Sequence, residues 1–261
     1  MDNLDATRVI YAKNPLDEVN CQLRFPPILK IDAEVPAAFQ ERIRADFPLY
    51  EIKSSIKLPA DLPKSFATVI QRDMPIPGSK YHSFGAADRL WSIRLARDCL
   101  ALACRKYERW ENFRARLLEP FESLLDVYQP AYFSHICLKY RDVIRRKRLG
   151  LESVPWSDLL EPWVSGPLSH KLPECDVEGT QTTAVILLPD GLGKVHCTLG
   201  LGIDEPTKES VFVIDSHIYS EPRTEPTDVF KHLDAINRQA GVFFRRCIAD
   251  RLHEALQPGS P

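Results

Sequence analysis

Residues 139–148 concentrate positive charge in a short stretch of the chain. Six of the ten are Lys or Arg: Lys139, Arg141, Arg145, Arg146, Lys147 and Arg148. If these cations shared a face, they could contact several phosphates, and the nearby Tyr132, Phe133 and Tyr140 could stack on bases. A strand would instead alternate its side chains, and charge runs commonly form a solvated face where a chain leaves a sheet. Nucleic-acid binding and a solvated exit from the core are both open.

A second group of polar residues has the types that acid–base or metal chemistry uses. Asp215 and His217 are two residues apart in SVFVIDSHI, so on a strand they project to one face, and His196 lies on the preceding predicted strand. His170 or Cys175 could add a further ligand. The alternative is that these residues have a structural role only: Asp215 would begin the loop after the strand, and His217 would be a polar side chain with satisfied hydrogen bonds. We assign no catalytic residue, metal ligand or cofactor here. A metal-dependent hydrolase around His196, Asp215 and His217 is kept as an alternative hypothesis.

Several other classes of site have no support in the sequence. The glycines of LGLGI and DGLGK lie between predicted strands, without the spacing of phosphate-binding loops, and no G-x-S-x-G elbow occurs. The seven cysteines form no C-x-x-C pair, which favours reduced thiols over disulfides or a zinc knuckle. Cys99 and Cys104, five residues apart around a strand, are predicted to face opposite sides.

Charge and hydropathy restrict the surroundings of the protein. The net charge of -2 gives no general attraction to polyanions. No signal-peptide core and no apolar run of membrane-spanning length occurs, so we expect a soluble cytoplasmic protein without membrane contact.

Apolar periodicity predicts which elements position these groups. Alternation with period two predicts strands in EVNCQLRF, YEIKSSIKL, the hairpin RLWSIRLARDCLALACRKY, AYFSHICLKY, TTAVILLP, KVHCTLGLGI and SVFVIDSHI, and SFATVI is strand-like. Recurrence at three and four residues predicts one long helix from Trp110 to Tyr128. A second helix is predicted with Thr227 as N-cap and a buried stripe from Val229 to Leu252. The pattern predicts an α+β fold in which a curved, mostly antiparallel sheet holds two long amphipathic helices.

The chain is predicted to form one domain over residues 1–256. Its halves, 1–148 and 181–256, are joined by a Pro- and Trp-rich connector, 149–180, and residues 257–261 are predicted to be a disordered tail. Each half contains strands followed by one long helix. CLALACRKYERWENF and FVIDSHIYSEPRTEPTDVF share a strand, a loop and an acid-x-Phe entry to the helix, which suggests an internal duplication.

The order of these segments resembles a sporadically distributed prokaryotic family of uncharacterised proteins of about this size. The family's pattern F-x-R-I-G-L-R-Y-x-N-x-I aligns with Phe133 through Ile144, with His135 and Lys139 in place of arginines, Cys137 in place of glycine and Asp142 in place of asparagine. The family has no assigned activity, so the resemblance implies no functional residue. Its patchy distribution resembles that of horizontally exchanged defence or toxin-antitoxin loci.

The sequence therefore predicts a binding or interaction protein with a protein partner, and no catalysis is assigned. The first alternative is a nucleic-acid-binding component that uses the basic segment 139–148. The second is the metal-dependent hydrolase described above.

Overall fold

The computed structural model of the protein describes residues 9–54, 80–169 and 177–259. The strands in chain order are β1 (Ile10–Tyr11), β2 (Leu16–Arg24), β3 (Leu49–Ser54), β4 (Lys80–Gly85), β5 (Trp91–Ala96), β6 (Cys99–Cys104), β7 (His135–Ile144), β8 (Gln181–Leu187), β9 (Lys194–Asp204), β10 (Glu209–Ser220) and β11 (Pro258–Gly259). Nine of them form one curved, open antiparallel sheet in the order β3-β4-β5-β6-β2-β7-β10-β9-β8. The predicted strands are confirmed in the described residues, whereas SFATVI, residues 65–70, lies outside them.

The helices in chain order are α1 (Lys30–Ala33), α2 (Ala37–Ile43), α3 (Trp110–Tyr128), α4 (Arg146–Leu149), α5 (Pro162–Ser165), α6 (Val229–Cys247) and α7 (Asp250–Ala255). The α+β class and the two long helices, α3 and α6, are as predicted. None of the described helices is long and apolar enough to cross a membrane.

Both long helices lie on the same face of the sheet. The stripes of α3 and α6 share one core with the inward side chains of the central strands, including Leu102 on β6, Leu138 on β7 and Ile218 on β10. The two helices also contact each other, because Trp110 Nε1 donates a hydrogen bond of 2.7 Å to Asp234 Oδ1. Each large apolar side chain buried in this way contributes about 1.5–3 kcal/mol, so the stripes hold both helices on the sheet.

The order of elements repeats along the chain. In each half a first strand (β2 or β7) is followed by an antiparallel meander (β3-β4-β5-β6 or β8-β9-β10) and then by a long helix (α3 or α6). The last meander strand pairs with the first strand in both halves, and β2 pairs with β7 at the centre. The repeat changes over between α3 and β7, ahead of the connector that the sequence predicted as the boundary.

The connector also interrupts the second predicted helix. Leu160 forms a bridge with Ile248, and Ala249 N–H donates to Leu159 O at 2.9 Å. Residue 248 is consequently extended, and the stripe predicted to be continuous to Leu252 is divided between α6 and α7. Within 149–180, a 3-10 turn, Trp156–Asp158, is followed by α5.

Two helix and chain ends differ from the sequence prediction. Thr227 does not cap α6, because Pro226–Asp228 form a 3-10 turn and no side chain caps the first helical turn. Residues 258 and 259, predicted to be a disordered tail, form β11 and pair with β1.

Candidate functional site

The sheet face turned away from α3 and α6, here called the polar face, carries most of the chemistry-bearing side chains. On the central strand β7, Leu138 and Tyr140 point into the core, so Cys137, Lys139 and Arg141 alternate onto the polar face. The pairing of β7 with β2 and β10 then aligns polar residues in cross-strand rows. These rows are Gln22–Cys137–Tyr219, Asn20–Lys139–His217–His196 and Glu18–Arg141–Asp215.

A groove of about 290 Å³ lies at the centre of this face. Its lining residues are Glu18, Asn20, Gln22, Arg94, Lys139, Arg141 and Asp215. Three cations and two carboxylates face one another in it, and Arg141 Nη1 lies 3.9 Å from Asp215 Oδ2. In the described chain, neither Glu18 nor Arg94 forms an ion pair, although the Arg94 guanidinium lies 5.6 Å from the centre of the Tyr81 ring. The groove can therefore bind a charged or zwitterionic group.

A buried cluster of two histidines and one cysteine adjoins the groove. The ligand atoms of His135, Cys137 and His217 all lie within 4.8 Å of one another, and the three residues are 7%, 0% and 4% exposed. His135 and Cys137 are two residues apart on β7, and His217 on β10 is diagonal to Cys137 because it pairs with Lys139. Neighbouring strands place diagonal side chains about 7–8 Å apart, within reach of an imidazole.

Tyr219 packs the cluster. Its ring stacks on the His135 ring with centroids 5.3 Å apart, and lies 5.3 Å from the His217 ring at an interplanar angle of 57°. Tyr219 is paired directly with Cys137 and is 1% exposed. This packing fixes the orientation of both imidazole rings toward the thiol.

The three residues of the predicted polar site lie on one face of the sheet. His196 and His217 are directly paired, and Asp215 follows on the same face, as the spacing predicts. Among the described residues, however, the ligand atoms that lie within 4.8 Å of one another are those of His135, Cys137 and His217. His196 and Asp215 do not belong to this cluster. Asp215 instead faces Arg141. The other two proposed ligands, His170 and Cys175, lie outside the described residues.

The six cations of the basic segment do not share one face. Lys139 and Arg141 are in the groove, while Arg145 is held by carboxylates: it donates two hydrogen bonds to Asp17 (2.9 and 3.1 Å) and two to Asp204 (2.9 and 3.1 Å). Hydrogen bonds from Thr207 and then Arg145 lower the pKa of Asp204. Arg145 thus ties the end of β7 to β2 and β9.

The remaining three cations lie on and around α4. The Arg146 guanidinium lies 4.4 Å from the Trp156 ring centre and donates to Val154 O at 2.8 Å, whereas Lys147 and Arg148 are exposed. The Lys147 backbone N–H donates to Glu209 at 2.9 Å. The structure therefore places two of the six cations in the groove, one between Asp17 and Asp204, and three on the short helix α4.

The buried carboxyl of Asp142 lies on the other side of the sheet. It is 4% exposed, and burial, followed by repulsion from Asp215 and Asp17, holds its pKa well above the ordinary value. Beside it on the same strand, the Tyr140 hydroxyl donates to Asn237 Oδ1 on α6 at 2.9 Å. These groups belong to the contact between sheet and helix.

The sequence did not identify His135 and Cys137 as members of a site. The available signal was the run SHICLK, in which a His and a Cys two apart share a face. Linking them to His217 required the pairing register of β7 with β10, which no local pattern states. All six described cysteines are buried thiols outside any disulfide, and Cys99 and Cys104 lie in separate clusters on opposite faces, as predicted.

Comparison with protein-family models and with curated proteins finds no match to this chain. The resemblance to the sporadically distributed prokaryotic family stays a prediction.

Proposed function

We propose that this protein is a binding protein that takes no catalytic role and receives a partner protein on the polar face. The observation that carries the proposal is the central groove, in which charged side chains of both signs face one another on the side of the sheet away from both long helices. A groove of about 290 Å³ admits a few side chains of a partner. It is lined by Arg94, Lys139 and Arg141 against Glu18 and Asp215, so an excess of one cation favours an acidic partner side chain.

Apolar side chains at one edge of the same face support a protein partner. Val185 and Leu187 on β8 alternate onto the polar face and are 57% and 75% exposed. The distance from β2 to β8, four strand spacings, is about 19 Å, which suits a protein–protein interface of standard size. Interfaces of this kind combine an apolar area with charged groups that fix the orientation of the partner.

The first experiment locates the partner. A photo-crosslinking amino acid is introduced at Ser92, which is exposed on the polar face, and in a matched variant at Leu118, which is exposed on α3. We expect the probe at Ser92 to capture one protein in the native host, and the probe at Leu118 not to capture it. Capture from Leu118 alone would contradict the proposal.

The second experiment tests the groove with the captured partner. Arg94→Glu reverses a charge that has no ion-pair partner in the described chain, and Lys231→Glu makes the same change on the exposed side of α6. Calorimetric titration is expected to show binding weakened about 10- to 100-fold by Arg94→Glu and unchanged by Lys231→Glu. Equal affinities for wild type and Arg94→Glu would refute a role for the groove.

The nucleic-acid hypothesis stays a prediction with its own test. Lys147 and Arg148 are exposed, and Lys147 borders a second depression of about 240 Å³ with Lys208, although Glu152 and Glu209 line it too. Phosphate contacts would give binding that falls steeply as salt rises. The defence or toxin-antitoxin context likewise stays a prediction, which the neighbouring genes would test.

A further inference from the structure

We infer that His135, Cys137 and His217 bind a zinc-class divalent metal ion. The proposal is independent of the partner-binding groove, since it rests on the three ligand atoms of the buried cluster. These atoms already lie within 4.8 Å of one another.

The geometry is close to that of a bound ion. Zinc is held by His nitrogen at about 2.0–2.1 Å and Cys sulfur at about 2.3 Å, so in a tetrahedron the ligand atoms are about 3.3–3.6 Å apart. The observed upper limit exceeds this spacing by about 1.2–1.5 Å. Small rotations about the side-chain bonds of three residues on two adjacent, paired strands can close such a gap without any change in the register of β7 and β10.

The ligand types select the class of metal. Two imidazoles and one thiolate suit zinc and its neighbours, whereas magnesium and calcium require oxygen ligands. The cluster contains no carboxylate: Asp215, the nearest acidic position along β10, faces Arg141 instead. Three protein ligands leave the fourth position of a tetrahedral ion for water or another donor.

The surroundings resemble those of an organised metal site. All three ligands are buried, and Tyr219 packs against both imidazole rings, so their orientations are set before an ion binds. Two cations pair with cluster residues across neighbouring strands: Arg24 pairs with His135, and Lys139 pairs with His217. The positive charge of Arg24 is balanced by Asp98, whose Oδ2 lies 3.6 Å from Arg24 Nη1. A supporting shell of this kind fixes metal ligands and strengthens binding.

Titration of the full-length, chelator-treated protein with Co²⁺ tests the inference. A tetrahedral site with one thiolate gives strong visible absorption and a sulfur-to-cobalt charge-transfer band, and added Zn²⁺ should remove both at one equivalent per chain. Mg²⁺ should have no effect. Co²⁺ spectra without the charge-transfer band, or no binding of Co²⁺ and Zn²⁺, would show that the cluster is only a packed polar group and would overturn the proposal.

A matched pair of variants separates ligation from folding. Cys137→Ala removes the proposed ligand, while Cys99→Ala removes another buried thiol of the polar face, beside Ala96 and Ala101. We expect Cys137→Ala to abolish the charge-transfer band and to weaken Zn²⁺ binding at least about 100-fold, with Cys99→Ala unchanged. His217→Ala should weaken binding by a similar factor. Circular dichroism establishes that each variant is folded, and binding retained by folded Cys137→Ala or lost by folded Cys99→Ala would refute the assignment.

Discussion

The close approach between β9 and the chain entering β8 makes Gly200→Ala a sharp test of the sheet. A Cβ atom at Gly200 would lie 2.1 Å from the backbone oxygen of Thr180 and 3.1 Å from Gln181 Cα. That oxygen accepts a hydrogen bond of 3.0 Å from Leu201 N–H. The added methyl group must therefore push Thr180 away by about 1 Å and break or weaken this bond.

The expected cost has two parts. Overpacking of a tight site costs about 1–3 kcal/mol, and the lost backbone hydrogen bond about 1 kcal/mol, so Gly200→Ala should lower the free energy of unfolding by about 2–4 kcal/mol. Gly202→Ala is the control on the same strand and face, because its Cβ would meet Val213 Cγ2 at 3.6 Å and Val211 Cγ2 at 3.9 Å, both ordinary van der Waals contacts. There the lower entropy of the unfolded chain makes alanine neutral or stabilising, by up to about 1 kcal/mol.

Guanidinium unfolding followed by tryptophan fluorescence measures both variants against wild type. Equal stability of Gly200→Ala and wild type would mean that Thr180 does not approach β9 as closely as described. A loss of the same size in Gly202→Ala would show that the cost arises from any side chain at this end of β9, and would refute the reasoning from the close contact.

Two further changes test the charges at the sheet. Arg145→Ala should lower the free energy of unfolding by about 1–2 kcal/mol at low salt, a value discounted for the partial exposure of Asp17, and by less at high salt because salt screens the ion pairs. Thermal melts at two salt concentrations measure this difference. A loss that does not depend on salt would contradict the role of the Arg145 ion pairs with Asp17 and Asp204. Asp142→Asn tests the buried carboxyl, whose pKa is raised in the folded state. Above about pH 4 the unfolded chain releases the Asp142 proton while the folded state keeps it, so wild-type stability falls as pH rises from about 4 toward the folded pKa. The variant should therefore gain stability over wild type as pH rises, by at most about 1.4 kcal/mol per unit, whereas parallel stability curves would show that Asp142 does not titrate differently on folding.

The sequence predicted the elements of the fold because each has a local cause. The recurrence of apolar residues at three and four positions defined α3, and period-two alternation defined β5 and β6 with the turn between them. The break between α6 and α7 was missed because its cause is tertiary. The stripe is continuous in sequence, and the helix is interrupted where Ile248 bridges Leu160 and Ala249 N–H donates to Leu159 O on the connector.

The candidate site was predicted less well, because its members come from strands far apart in the chain. The spacing of Asp215 and His217 fixed their common face, yet His217 meets His135 and Cys137 instead of completing a group with Asp215 and His196. The charge of Arg145 was visible in the sequence, and its partners, Asp17 and Asp204, were not.

The sequence by itself determined where most of the strands and both long helices form and which side chains share a face, since side-chain periodicity and turn residues act within a few positions of the chain. Only the tertiary structure decided which strands are neighbours and in what register. Pairing β7 with β10 so that Cys137 faces Tyr219 creates the histidine–cysteine cluster, and pairing β2 with β7 creates the charged groove. A shift of one residue would turn these side chains to the opposite face, so both sites depend on the packing of the whole sheet.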